Sequence, residues 1–137
     1  MMNLYEAIGC RHSVRKYTDR EVTEKLRGQI LSYFDKTSRL NDRIRVEAVI
    51  FDNTKKKADV HGLWKVDAPY YLAIYSDQEE GCERNAGYLM EQMVLYMTAK
   101  GLGTCYLGSV QPAQKVRGGK TLPDDGRIRL PGGQALP

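Results

Sequence analysis

The residues best equipped for chemistry lie in a basic turn near the start of this 137-residue chain, CRHSVRKY over residues 10–17. Arg11, Ser13 and Arg15 alternate there, so in an extended backbone their side chains project to one side while His12, Val14 and Lys16 project to the other. Two guanidinium forks and a hydroxyl then converge, a set matched to phosphate or to a carbonyl–imide edge. A solvated basic loop has the same composition, so the motif gains meaning only from what the fold sets beside it. A second stretch offers backbone rather than side chains. In GLGTCYLG, residues 101–108, two side-chain-free positions follow a long apolar segment, and backbone N–H groups there can approach a flat or charged ligand closely. A helix stop leading into a buried strand would read the same way.

These positions need rigid elements behind them. Between Asn85 and Lys100, apolar residues recur at Ala86, Leu89, Met90, Met93, Val94 and Met97, the three-and-four spacing of one helix face. Tyr88, Leu95, Tyr96 and Ala99 widen that face, which predicts a central, mostly buried helix. Glu79, Glu80 and Glu83 stand where its dipole favours negative charge, and Lys100 with Gly101 supplies a cation and a left-handed cap. A short helix is expected through Leu4, Ala7 and Ile8, ended by Gly9. Thr23 is placed to cap a helix through Leu26, Ile30, Leu31 and Phe34 to about Thr37. Ile44, Val46, Ala48 and Ile50 alternate with their neighbours, predicting a partly buried strand that Asp52, Asn53 and Thr54 break. Pro69 lacks the N–H a ladder needs, so a continuous apolar strand starts at Tyr70 and runs to Tyr75, suited to the centre of a sheet under the long helix.

Composition excludes several classes of function. The length suits one domain, and no run approaches the roughly 20 apolar residues that span a bilayer, so no membrane partner is expected. The N-terminal segment lacks an apolar core with a small-residue cleavage site, which predicts a cytoplasmic protein. Cys10, Cys82 and Cys105 are odd in number and widely spaced beside only two histidines, so neither a disulfide framework nor a metal site is indicated. Cys10 and Cys105 are expected as small buried thiols. The net charge of +4 suits an anionic small ligand as well as nucleic acid. The run Lys55–Lys57 has no interleaved aromatics and reads as a solvated turn, so no nucleic-acid partner is expected. His61, beside Gly62 in a polar loop, is read as solvated, and no side chain stands out as a general acid.

Three segments in this order and spacing resemble the FMN-dependent nitroreductase family: RHSVRKY at 11–17, APYY at 68–71 before the apolar strand, and the long helix running into GLGTCYLG. The resemblance covers about residues 3–125. It implies an α+β fold, a mostly antiparallel sheet flanked by helices, with the long apolar central helix at the interface of an intertwined homodimer. It also implies FMN at that interface, with Arg11 and Ser13 at its phosphate and ribityl chain, His12 nearby, and Arg15 facing the pyrimidine edge of the isoalloxazine. Pro69 and Tyr70 would shape the ring pocket, and the backbone of Gly101, Leu102, Gly103 and Thr104 would approach the ring. NAD(P)H would deliver hydride, and a nitroaromatic, quinone or similar small-molecule acceptor would receive it. A cation such as Arg15 at the N1–C2=O edge would stabilise the charge that develops there. The apolar excess of the helix gives a separate reason to expect a homodimer, because a lone 137-residue chain has little left to cover it.

After about residue 125 the chain departs from that pattern. Residues 1–125 are read as the family-like domain, incomplete at its C-terminus, and 126–137 as an atypical, irregular tail. Residues 111–137 hold four of the five prolines and five glycines, with neither strand alternation nor helical period, so beyond one helical turn at 113–116 no element is expected. The alternative expectation is a truncated, catalytically impaired flavin-binding remnant. Arg127 and Arg129 are the residues able to return over the basic turn and supply missing anion ligands.

Overall fold

The structure is a computed structural model that describes residues 2–17, 21–55, 60–62, 68–107, 110–112, 116–122 and 128–129. Helix α1, Leu4–Cys10, is capped by Asn3, whose side-chain oxygen accepts the Glu6 N–H at 2.8 Å. Gly9 lies inside this helix instead of ending it, and the stop comes at Arg11, whose extended backbone cannot continue the turn. Helix α2, Glu24–Lys36, has the expected Thr23 cap, with the Leu26 N–H donating to the threonine hydroxyl at 3.1 Å. Strand β1 is Val46–Asp52 and strand β3 Tyr70–Ser76; between them a short strand β2, Val60–Gly62, takes in His61, so its backbone is laddered rather than looped. Helix α3 spans Cys82–Ala99. After it come β4 (Tyr106–Leu107), β5 (Val110–Pro112), β6 (Val116–Arg117), β7 (Lys120–Thr121) and β8 (Ile128–Arg129).

Strand β3 is the spine of the sheet. Its whole length pairs antiparallel with β1, from Val46 opposite Ser76 to Asp52 opposite Tyr70. On the other edge it meets β8 at Leu72 and β7 at Ser76, and β8 pairs in turn with β4. A separate two-stranded ladder joins β2 to β5. Tyr70, Leu72 and Ile74 point into a core shared with Ile30 and Phe34 of α2 and with Leu89, Met93, Val94 and Met97 of α3. Tyr71 points to the other face, into a smaller cluster with Ala68, Cys105 and Leu107, against which Tyr17 and Phe51 pack. Every residue of β3 is therefore buried, as its continuous apolar run predicts. Full burial of each large apolar side chain contributes on the order of 1.5–3 kcal/mol, which makes α3 and β3 the main source of stability.

Helix α3 also anchors the chain that precedes β1. The Asn85 side-chain oxygen accepts the backbone N–H of Leu40 at 3.0 Å, and Gln92 clasps Ser38 through both its amide groups. Tyr33 of α2 stacks on Tyr96 of α3 with ring centroids 4.1 Å apart. The helix ends in a Schellman turn. The Leu102 N–H reaches the Met97 carbonyl at 2.9 Å and the Gly101 N–H reaches Thr98 at 3.0 Å, with Gly101 at φ 86°, a left-handed conformation that a side chain would strain.

β1 is partly buried as expected, each residue from Val46 to Phe51 being half-buried, and one further expectation is corrected here. The region after residue 108 is not devoid of elements. β6 and β7 form a hairpin through Gly118 and Gly119, and β8 lies between β3 and β4; strands of two residues are specified by the edge they join and leave no periodicity to read. Residues 113–115, where a helical turn was expected, lie outside the described residues, as do Lys56, Lys57, Arg127 and 130–137, while Val116 is in β6.

Candidate functional site

The basic turn and the exit of α3 are joined by backbone. Ser13 and Thr104 form an isolated parallel bridge, and the Val14 N–H donates to the Thr104 carbonyl at 2.8 Å. Contact at this bridge is close enough to require a glycine. A Cβ added to Gly103 would stand 3.0 Å from Cβ and both γ carbons of Val14, so the turn can lie this near only because position 103 has no side chain. At its far end the turn is anchored by Tyr17, whose hydroxyl donates to the Val14 carbonyl at 2.6 Å while its ring packs in the Tyr71 cluster. Burial, followed by its neighbours Cys105 and Tyr71, raises the Tyr17 pKa far above its ordinary value, against a smaller opposing effect of Arg15. Tyr17 is thus a neutral hydrogen-bond donor, and its part in holding the turn is one that sequence gives no sign of.

Beside the bridge lies an open cavity of about 200 Å³. Arg11, His12 and Val14 line it from the turn, and Gly101, Gly103 and Thr104 from the exit of α3, with Cys10, Thr98 and Leu102 completing the wall. The Arg11 backbone is fixed by its N–H to the Ala7 carbonyl, 2.9 Å, at the end of α1. Its guanidinium reaches the buried Thr104 hydroxyl at 3.5 Å and lies over the Tyr106 ring, 5.8 Å from the centroid. Among the described residues no carboxylate forms an ion pair with it, and the Thr104 hydroxyl takes one of its five N–H donors. The Tyr106 hydroxyl donates to a Glu91 carboxylate oxygen at 2.5 Å.

The structure brings together Arg11, His12, Gly101, Leu102, Gly103 and Thr104. Ser13 joins them through its backbone, and Arg15 is exposed on the turn beyond. Simple alternation is not kept: His12 and Val14 share the cavity with Arg11, and the residues on either side of the Ser13 bridge are not in a strand. Pro69 and Tyr70 lie elsewhere. The Pro69 carbonyl accepts the Asn53 N–H at 2.8 Å, and Tyr70 is buried in the main core with its hydroxyl directed at the Val22 carbonyl, 3.3 Å, and Arg27 over its ring. Cys105 is buried as expected, whereas Cys10 is exposed at the end of α1, whose buried residue is Ala7. Among the described residues no group of three or more His, Cys, Asp or Glu is placed to hold a metal ion, and no helix is long and apolar enough to cross a membrane.

With this geometry in hand, the decisive comparison is with protein families. The family model described as "Putative TM nitroreductase" matches residues 3–126. The chain belongs to the nitroreductase family. Solved nitroreductases share its fold across nearly its whole length. A nitroreductase family protein from Clostridium novyi NT is 17% identical with a TM-score of 0.77, over 98% of this chain and 86% of that one. Another, from Clostridium difficile 630, is 18% identical at a TM-score of 0.75, over 99% and 86%. A nitroreductase from Bacteroides fragilis NCTC 9343, solved with bound FMN, is 16% identical at a TM-score of 0.68, over 99% and 90%. Among curated proteins none matches the chain. The helices packed against an antiparallel sheet are thus the nitroreductase fold, and the Ser13–Thr104 bridge ties the arginine-bearing turn to the glycine-bearing segment in this chain.

Proposed function

We propose that this chain is an FMN-dependent oxidoreductase that takes hydride from NAD(P)H and passes it to a nitroaromatic, quinone or similar acceptor. The observation that carries the reading is that Arg11, without an ion pair among the described residues, lines one cavity together with Gly101 and Gly103. These residues fit a phosphate-bearing, planar group: the cation and hydroxyl suit the phosphate, and backbone without side chains suits a flat surface. FMN in a nitroreductase from Bacteroides fragilis adds support from the family. When bound, FMN supplies the two-electron chemistry that links a nicotinamide donor to the acceptor.

The protein's own part is to bind, orient and tune. Arg11 holds the phosphate, with Ser13 and His12 beside it, and Gly101, Leu102, Gly103 and Thr104 offer backbone to the flavin. Arg15 is assigned to the pyrimidine edge, where a cation stabilises negative charge. At about 200 Å³ the cavity is smaller than the roughly 300–1,000 Å³ of common ligand sites. That supports a homodimer in which the second copy supplies the remaining walls. Tyr5, Ile8 and Tyr88, exposed on the paired helices α1 and α3, offer the apolar surface such a partner would cover. The reaction is assigned to the cytoplasm.

The test is whether the purified protein holds FMN and oxidises NAD(P)H faster when a quinone or nitroaromatic is added. Protein that takes up no flavin under saturating FMN contradicts the reading. In the flavin-loaded protein, Arg15→Ala is expected to lower the flavin reduction potential while changing affinity for oxidised FMN little. An unchanged potential in a redox titration removes Arg15 from this role.

A further inference from the structure

Arg11 is held in an unusual way for a residue meant to meet an anion, and the arrangement points to a positioning residue, Tyr106, that lies in the 101–108 segment but not in the cavity wall. A guanidinium can be fixed through its N–H groups or through its flat face. The first route spends donors, and the second leaves them available. Here an aromatic ring and a single hydroxyl are the neighbours. The Tyr106 ring lies under the Arg11 guanidinium at 5.8 Å, and the Thr104 hydroxyl takes one N–H at 3.5 Å. Tyr106 is itself fixed from the far side, its hydroxyl bonded at 2.5 Å to Glu91 on α3 and its backbone laddered to β8.

The Glu91 bond does two things. It tethers the end of the ring and so fixes where the ring lies, and it engages the Glu91 carboxylate, while Arg11 has no ion pair among the described residues. A carboxylate accepting from the phenol also enriches the ring in electron density, which strengthens its attraction for the cation above it.

We infer that Tyr106, braced by Glu91, is the positioning residue that presents Arg11 to the phosphate of the bound flavin, setting the preference for FMN over flavin without phosphate. This rests on the FMN reading above. Tyr106 touches neither phosphate nor the reacting atoms; it acts through Arg11.

The test uses the full-length protein and two ligands, FMN and riboflavin, titrated by quenching of flavin fluorescence. The readout is the ratio of their dissociation constants, and riboflavin affinity serves as the internal check that each variant is folded. Tyr106→Leu, which removes face and hydroxyl, is expected to lower the preference for FMN about two- to fivefold, the scale of an exposed cation–aromatic contact. Tyr106→Phe keeps the face and should retain more of the preference than Tyr106→Leu. In an Arg11→Ala background Tyr106→Leu should change the ratio no further, because its effect passes through Arg11. A wild-type ratio near one overturns the phosphate reading, and this inference with it. A clear wild-type preference that survives Tyr106→Leu, or falls equally with and without Arg11, overturns this inference alone.

Discussion

Arg11 and Arg45 are both partly solvent-facing arginines beside the same sheet, yet the fold treats them in opposite ways. Arg45 closes a fork on Asp77: its Nε lies 3.1 and 3.0 Å from the two carboxylate oxygens, its Nη2 2.8 Å from one of them, and its backbone N–H 2.9 Å from the other. The pair fastens the start of β1 to the end of β3, and nothing remains for a ligand on that edge of the guanidinium. Arg11 has an aromatic face and one hydroxyl at the limit of hydrogen bonding. The difference teaches that a cation's partner, more than its exposure, separates an arginine that fastens two strands from one that waits for an anion.

Substitution of each arginine sharpens the contrast. Arg11→Ala should weaken FMN binding roughly ten- to a hundredfold, the scale of one or two charge-assisted hydrogen bonds. Arg45→Ala should leave it within about twofold, since Arg45 has no place at the cavity. Equal losses, read by flavin titration, would erase the distinction.

Gly103→Ala probes the bridge that brings Arg11 to the cavity. With Val14 atoms 3.0 Å from the new methyl, either the turn or the loop must move, at a cost of about 1–3 kcal/mol, the range for overpacked sites. The urea midpoint should fall with an unchanged slope, and FMN affinity should fall with it. A variant as stable as wild type would show that the turn has room to give.

The smallest effect belongs to the Arg45 side and appears only in acid. Hydrogen bonds from Arg45 hold the Asp77 carboxyl below the usual carboxylate range. A group with a depressed folded pKa contributes stability that is present above its unfolded pKa and is lost as pH falls through the folded value. Asp77→Asn should therefore slightly lower the unfolding midpoint at neutral pH and flatten its fall below about pH 4, where an unfolded aspartate protonates. A variant whose midpoint tracks wild type at both ends would place the pair outside the stability balance.

What could be read in the sequence divides along physical lines. Helix α2 starts where Thr23 predicts, and α3 ends where Lys100 and Gly101 predict, because caps and stops are local chemistry. Strand β3 declares itself by an apolar run bounded by Pro69. The two arms of the site were visible as motifs, and the family resemblance put them together. The short strands β6, β7 and β8 could not be seen, since their existence depends on the edge of β3 and not on their own residues. The same holds for Tyr106 and Glu91, fifteen residues apart and joined only by a side-chain hydrogen bond that the fold makes. His12 lies with Arg11 at the cavity, as the resemblance implies, whereas strict strand alternation sets the two on opposite sides.

The central claim, that Arg11 presents its guanidinium to a flavin phosphate, is tested most directly by comparing the affinity of the wild-type protein for FMN and for riboflavin under identical salt. The two ligands share the ring and the chain and differ in the phosphate. The account predicts that FMN binds at least about tenfold more tightly, the worth of a single charge-assisted contact. Equal affinities would contradict it.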